Sequence, residues 1–121
     1  MNLFKRIFRK PAILFVTLWA RRVYNQGVNA AELRHKQEHK TIYLAAENFH
    51  PDRLVTYDKD RFKTEKRVFG YHARLLTMNT LKRGCYYHTA DRYGNNGLSE
   101  EEKEIRRRAF IKERLRMAKL I

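Results

Sequence analysis

Thr41-Ile-Tyr-Leu-Ala-Ala-Glu-Asn-Phe-His-Pro-Asp-Arg-Leu-Val-Thr-Tyr57 is the stretch that makes this chain more than a set of helices. Thr41–Leu44 and Arg53–Tyr57 are rich in β-branched and aromatic residues, which suit a pleated, half-buried surface. Between them, Asn48-Phe-His-Pro-Asp52 supplies a proline flanked by turn-forming Asn and Asp. A hairpin is expected. Two strands alone are marginal in water and need a helix over their apolar face. The flanking sequence offers helices on both sides, so the expected class is α+β and helix-dominated: a small single domain with a two-stranded hairpin and a long C-terminal basic helix.

Ser99-Glu-Glu-Glu102 has the form of a capping box, with three acids in the first turn and arginines beyond, and predicts a helix from about Glu100 to Lys119. Its apolar residues Ile105, Ala109, Phe110, Ile111, Leu115 and Met117 scatter round the cylinder, so it packs against several partners or projects from the domain. Glu102 with Arg106 and Glu104 with Arg108 form i to i+4 pairs, each worth a few tenths of a kcal/mol. From Asp60 the spacing is again helical: Phe62, Phe69 and Leu76 repeat at seven, and Val68, Tyr71, Leu75 and Met78 at three and four. One helix is expected there, closed by Lys82-Arg83 and a left-handed Gly84, with Gly70 as a weak point in its middle. Cys85 to Gly97, which contains Asn95-Asn-Gly97, reads as a loop.

At the other end, Leu3, Phe4, Ile7 and Phe8 recur at helical spacing with Lys5, Arg6, Arg9 and Lys10 between them, a basic amphipathic arm over residues 1–10. Pro11 is placed to open a new helix, whose run from Ala12 to Ala20 is apolar apart from Thr17. Such a run is too short to span a bilayer, which needs about 20 residues. Arg21-Arg22 follows directly and no small-x-small site lies at Thr17 to Ala20, so it is not expected to be a cleaved signal segment. Two readings stand: a buried core helix behind a basic arm, and a helix that meets a membrane surface or a partner. Asn29-Ala-Ala-Glu32 predicts a further N-cap and a short helix through about His39. The organisation is then an arm over 1–10, a compact core over 11–98 and the C-terminal helix over 99–121.

The chain has 121 residues, one domain's worth, and a formal net charge of +14. The charge is uneven. Residues 1–25 hold six cations and no acid, whereas residues 26–70 hold nine against seven. Residues 71–98 hold four against one, and residues 99–121 eight against five. A cationic field of this kind attracts phosphate-rich nucleic acid or anionic lipid. Cys85 is the single cysteine, which excludes an internal disulfide framework and any site built on several thiolates, and suggests a reducing compartment.

Catalytic motifs are few. His35-Lys-Gln-Glu-His39 has the H-x-x-E-H spacing that could set two histidines on one helical face around zinc with Glu38 as base. Arg34, Lys36 and Lys40 crowd that pair with positive charge, so a solvated face is expected instead. Cys85 and His88 are three apart in a loop, a spacing that coincidence explains. No glycine sits in a phosphate-cradling pattern. No catalytic residue, metal site, cofactor or small-molecule substrate is therefore expected.

In Lys82-Arg-Gly-Cys-Tyr-Tyr-His-Thr-Ala-Asp-Arg-Tyr93 cations alternate with aromatics. Tyr86 and Tyr87 could stack on unpaired bases while Lys82, Arg83 and Arg92 hold phosphates. Lys5, Arg6, Arg9, Lys10, Arg21 and Arg22 at one end, and Arg106, Arg107 and Arg108 at the other, complete the expected nucleic-acid-binding set. The expected function is that of a non-enzymatic basic binding protein, a nucleic-acid-associated structural subunit of a larger ribosome-like or virion assembly with other protein subunits as neighbours. It would be cytoplasmic or packaged in a particle. The alternative is a membrane-surface or protein-assembly adaptor anchored by residues 1–20.

Overall fold

A computed structural model describes residues 3–47, 50–69 and 77–121 of the chain. Four helices and three strands are formed among them, in the order α1 (Leu3–Glu38), β1 (Tyr43–Glu47), β2 (His50–Tyr57), α2 (Lys59–Phe69), α3 (Met78–Gly84), β3 (Tyr87–His88) and α4 (Glu100–Met117). The class is the expected one, α+β with helices dominant and a long C-terminal helix.

The hairpin forms, with Tyr43 opposite Tyr57, Leu44 opposite Thr56, Ala45 opposite Val55 and Ala46 opposite Leu54, and a register shift between Ala46 and Glu47. The sheet order is β2-β1-β3, so β2 is an edge. That position tolerates Pro51 inside the strand, because an edge residue need not donate on its outer side. Strand alternation gives the sheet two different faces. Ile42 and Leu44 join Tyr87 under α1 and α4, in a core completed by Ala20, Tyr24, Ala31 and Phe110. Tyr43 and Tyr57 gather with Cys85 on the other side, against Met78 and Leu81 of α3.

Several sequence expectations are corrected. β3 lies in the stretch read as a loop: the amide of Tyr86 donates to the carbonyl of Leu44 at 2.8 Å, and Ile42 and Thr89 exchange bonds through the Thr89 amide (3.0 Å) and hydroxyl (2.9 Å). The helix expected from residue 60 to 84 is two helices. Thr77 starts the second as its N-cap, accepting from the Thr80 amide at 3.1 Å. Tyr71, Leu75 and Leu76, which carried part of that periodicity, lie outside the described residues. Gly84 is not the left-handed cap, since α3 ends into an extended Cys85 at φ −71°. Ser99 does cap α4, its hydroxyl accepting from the Glu102 amide at 3.1 Å.

The largest correction concerns α1, which runs without interruption where the sequence suggests three segments. Pro11 lies inside it, and Asn29 is an exposed interior residue, not a cap. The cause is tertiary. Ala20, Tyr24, Gly27 and Ala31 form one row at spacings of four and three that packs onto the sheet and α4. At Gly27 an added Cβ would come within 2.9 Å of two Leu44 methyls, so the missing side chain is what lets helix and sheet approach. Glu32, read as the capping-box acid, accepts a hydrogen bond from the Tyr87 hydroxyl and ties α1 to β3 instead.

The carboxyl end of α1 is fixed by charge. Asp58 accepts from Arg34 Nη2 at 2.7 Å, from Lys40 Nζ at 2.9 Å and from the Arg61 amide at 2.7 Å, which joins α1, the following turn and the first turn of α2. Burial pushes the Asp58 carboxyl up, and those three donors together outweigh it and hold it below the usual aspartate value.

Candidate interaction surfaces on α1 and α4

The first half of α1 presents a row of large apolar residues to solvent. Ile7, Phe8, Leu14, Phe15, Leu18 and Trp19 are all exposed, Phe15 to 72% and Leu14 to 60%. The spacings of three, four and seven place them on one face. Residues two apart on a helix point about 200° away from each other, so the line through Leu18 faces opposite the line through the fully buried Ala20. α1 therefore has two apolar faces, one packed into the fold and one largely exposed, at whose end Trp19 meets Arg114 of α4. Residues 12–20 are thus a one-sided helix: Ala20 is buried, Ala12, Ile13, Val16 and Thr17 are half-buried, and Leu14, Phe15, Leu18 and Trp19 are exposed.

α4 lies alongside, with its carboxyl end near the amino end of α1. Arg9 donates to the Leu120 carbonyl at 3.1 Å, the Arg114 guanidinium sits 5.1 Å from the Trp19 ring centroid, and Phe110 packs on Tyr24 with ring centroids 5.7 Å apart. Across residues 7–22 and 108–121 the pair carries nine cations and one acid, Glu113. Arg9, Lys10, Arg21 and Arg22 are exposed, as are Arg108, Lys112, Arg116 and Lys119. Glu104 holds Arg108 at 3.0 Å and Glu113 holds Arg116, which tempers the charge of α4. The side chains of Lys5 and Arg6 lie outside the described set.

The expected aromatic platform is not assembled. Tyr87 is buried in the main core, and Tyr86 packs edge-on against Phe110 at 5.2 Å between centroids. Burial raises both phenols above their ordinary value. Tyr87 is buried and has a core role in place of the expected stacking one, and Tyr86 is half-buried beside it. Tyr24, whose hydroxyl donates to the Tyr86 carbonyl at 2.8 Å, is likewise pushed up by burial to about 12.

Arg106 is structural as well. Its Nη1 donates to the carbonyls of Lys82 (3.0 Å) and Cys85 (2.7 Å), which clamps the end of α3 onto α4. Arg107 pairs with Glu104 beside a cleft of about 210 Å³ lined by Tyr24, Val28 and Tyr87. Lys82, Arg83, Arg92 and Arg108 remain exposed.

The histidine pair is also not formed as spaced. α1 ends at Glu38, His39 turns into the left-handed region at φ 53°, and His35 Nδ1 bonds the Lys40 carbonyl at 2.8 Å. Among the described residues no group of three or more His, Cys, Asp or Glu is placed to hold a metal ion. Cys85 is buried, which pushes its thiol up, and its sulfur lies 3.3 Å from Arg106 Nη1. Burial lowers the His88 imidazole, with Arg106 and Lys82 adding to the effect. A buried thiol raised in this way is a poor nucleophile.

Sequence reasoning held the exposed stripe of α1 only in its alternative, an anchor over residues 1–20. Its signal was present: an apolar row over 7–19 that continues through Pro11 at helical spacing. No helix among the described residues is long and apolar enough to cross a membrane. No known family model, no curated protein and no solved structure matches the chain.

Proposed function

We propose that the chain is a non-enzymatic basic adaptor that attaches to a larger body through the outward stripe of α1, with the α+β head carried on the opposite face of the same helix. One observation carries the reading: six large apolar side chains stand exposed in a row on a helix whose other face is half-buried along residues 12–17 and buried at Ala20, Tyr24 and Ala31. Contiguous exposed apolar surface of this kind marks a binding site more often than chance. In residues 82–93 Tyr87 is buried and Tyr86 packs on Phe110, while Tyr93 stays exposed with Arg92 over its ring, so this stretch ranks below the stripe as the attachment element.

The partition of the chain in cells tests this without knowledge of the partner. Wild-type chain is expected in the particulate fraction after high-speed sedimentation, and Phe15→Gln with Leu18→Gln in the supernatant, with matching cooperative unfolding of the two purified proteins. Equal partition of both into the supernatant contradicts the reading.

A second reading, attachment to nucleic acid in a cytoplasmic or packaged assembly, draws support from the exposed cations Arg9, Lys10, Arg21, Arg22, Lys82, Arg83, Arg92 and Arg108. It requires affinity that falls steeply with salt, because each phosphate contact releases counterions, and that is indifferent to the Phe15 and Leu18 substitutions.

A further inference from the structure

We infer that the body met by the α1 stripe is the interfacial zone of an anionic lipid leaflet, with the first half of α1 lying in the membrane plane. The inference rests on the reading that the stripe is the attachment element, and it names the partner.

The chemistry of the stripe is that of a fluid apolar surface. Ile7, Phe8, Leu14, Phe15, Leu18 and Trp19 form a convex ridge with one polar atom among their side chains, the indole N–H. Such a ridge offers apolar area without a hydrogen-bonding pattern that a folded partner would read. Aromatic and aliphatic residues on one face with Lys and Arg beside them are what a helix needs at the boundary of headgroups and acyl chains.

The cations decide the sign of the leaflet. Lys10 and Arg21 are eleven residues apart, which brings them to within about 20° of each other on the helix, along one long edge of the stripe. Arg22 closes its carboxyl end. All three are exposed, none has an ion-pair partner among the described residues, and residues 1–25 contain no acid to supply one. A second copy of this chain laid on the stripe would bring these cations against each other, so self-pairing is disfavoured by the same charges that favour anionic headgroups. The ridge from Ile7 to Trp19 is about 20 Å long, shorter than the roughly 30 Å hydrocarbon core, and has a basic pair at each end. An in-plane helix leaves both pairs among the headgroups.

Trp19 is the single tryptophan and lies on the stripe, so its fluorescence reports on the site itself. The full chain is titrated with phosphatidylcholine vesicles and with phosphatidylcholine–phosphatidylglycerol vesicles, each prepared with and without brominated lipid. Expected are a blue shift and bromine quenching with the anionic vesicles and little of either with the neutral ones. Lys10→Gln with Arg21→Gln and Arg22→Gln should weaken anionic binding roughly a hundredfold, at about fivefold per charge near the surface. Phe15→Gln with Leu18→Gln should abolish it while unfolding as the wild type does. Equal binding to both vesicle types overturns the headgroup assignment. No response to either vesicle from a chain that still sediments with the particulate fraction overturns the lipid assignment in favour of a protein partner. No response from a chain found wholly in the supernatant overturns the attachment reading on which the inference rests.

Discussion

The two halves of α1 are buried in the reverse order of their apolar content: residues 7–19 hold nine apolar residues of thirteen and stay largely exposed, while residues 20–31 hold six of twelve and form the core. Along residues 20–31 the inward row is small at three of four places, Ala20, Gly27 and Ala31, and the helix closes onto Leu44, Tyr87 and Phe110. Along residues 7–19 Ile7, Phe8, Leu14, Phe15, Leu18 and Trp19 stand on the other face and are exposed, while Ile13 and Val16 are half-buried. Small residues let backbones approach, and large ones fill space that a partner has to supply. The difference teaches that total hydrophobicity does not locate a core; the face on which the bulk sits does.

The strongest way to break that comparison is to truncate one phenylalanine from each environment. Phe110, 1% exposed and packed on Tyr24 and Tyr86, should cost about 3–5 kcal/mol when replaced by Ala. Phe15→Ala, from a side chain 72% exposed, should stay within about 0.5 kcal/mol of wild type. Urea unfolding of both variants checks this, and a loss above about 2 kcal/mol for Phe15→Ala would place that ring in a core.

Much of the architecture was legible because local signals agreed with the fold. Ser99 capped α4 as its hydroxyl and the following acids demand, and Tyr43 to Glu47 paired with the second strand as β-prone runs round a turn should. Long-range packing hid the rest. Asn29-Ala-Ala-Glu32 is a sound capping pattern, but a helix already held by Gly27 and Ala31 has no orphan amide there to cap, and Glu32 was drawn to Tyr87. Tyr86 and Tyr87 read equally well as base platforms or as core, and only the pairing of β3 with β1 sets Tyr87 in the core, with Tyr86 half-buried on Phe110 beside it. That aromatic pair with His88 and Thr89 was itself a short β-prone run, the signal that could have located β3. The site was legible only in the runner-up reading of residues 1–20, because spacing shows that a stripe exists and not which stripe a fold leaves uncovered.

A smaller effect sharpens the contrast at the far end of α1, where Arg34 ties the buried half to Asp58. Asp58 accepts the Arg61 amide at the start of α2, so Asp58→Ala should cost about 1–2 kcal/mol at neutral pH through the lost cap. The native Asp58 carboxyl is held low, so the stability it contributes is complete above the unfolded aspartate value of about 4 and is lost as pH falls through the native value. Unfolding midpoints of wild type and Asp58→Ala should therefore converge on acidification below about pH 4. A gap that stays constant into acid would mean that the carboxylate charge contributes nothing there.

Amide hydrogen exchange along α1 in the full chain, with and without phosphatidylcholine–phosphatidylglycerol vesicles, tests the central claim most directly. Helix packed on one side only opens locally at lower cost than helix packed into a core. Residues 20–38 should be protected from the start and unchanged by vesicles, while residues 7–19 should exchange faster than these alone and slow markedly on binding. Uniform protection along the whole helix without vesicles, or no slowing of residues 7–19 with them, would contradict the division of α1 into a half that carries the head and a half that attaches it.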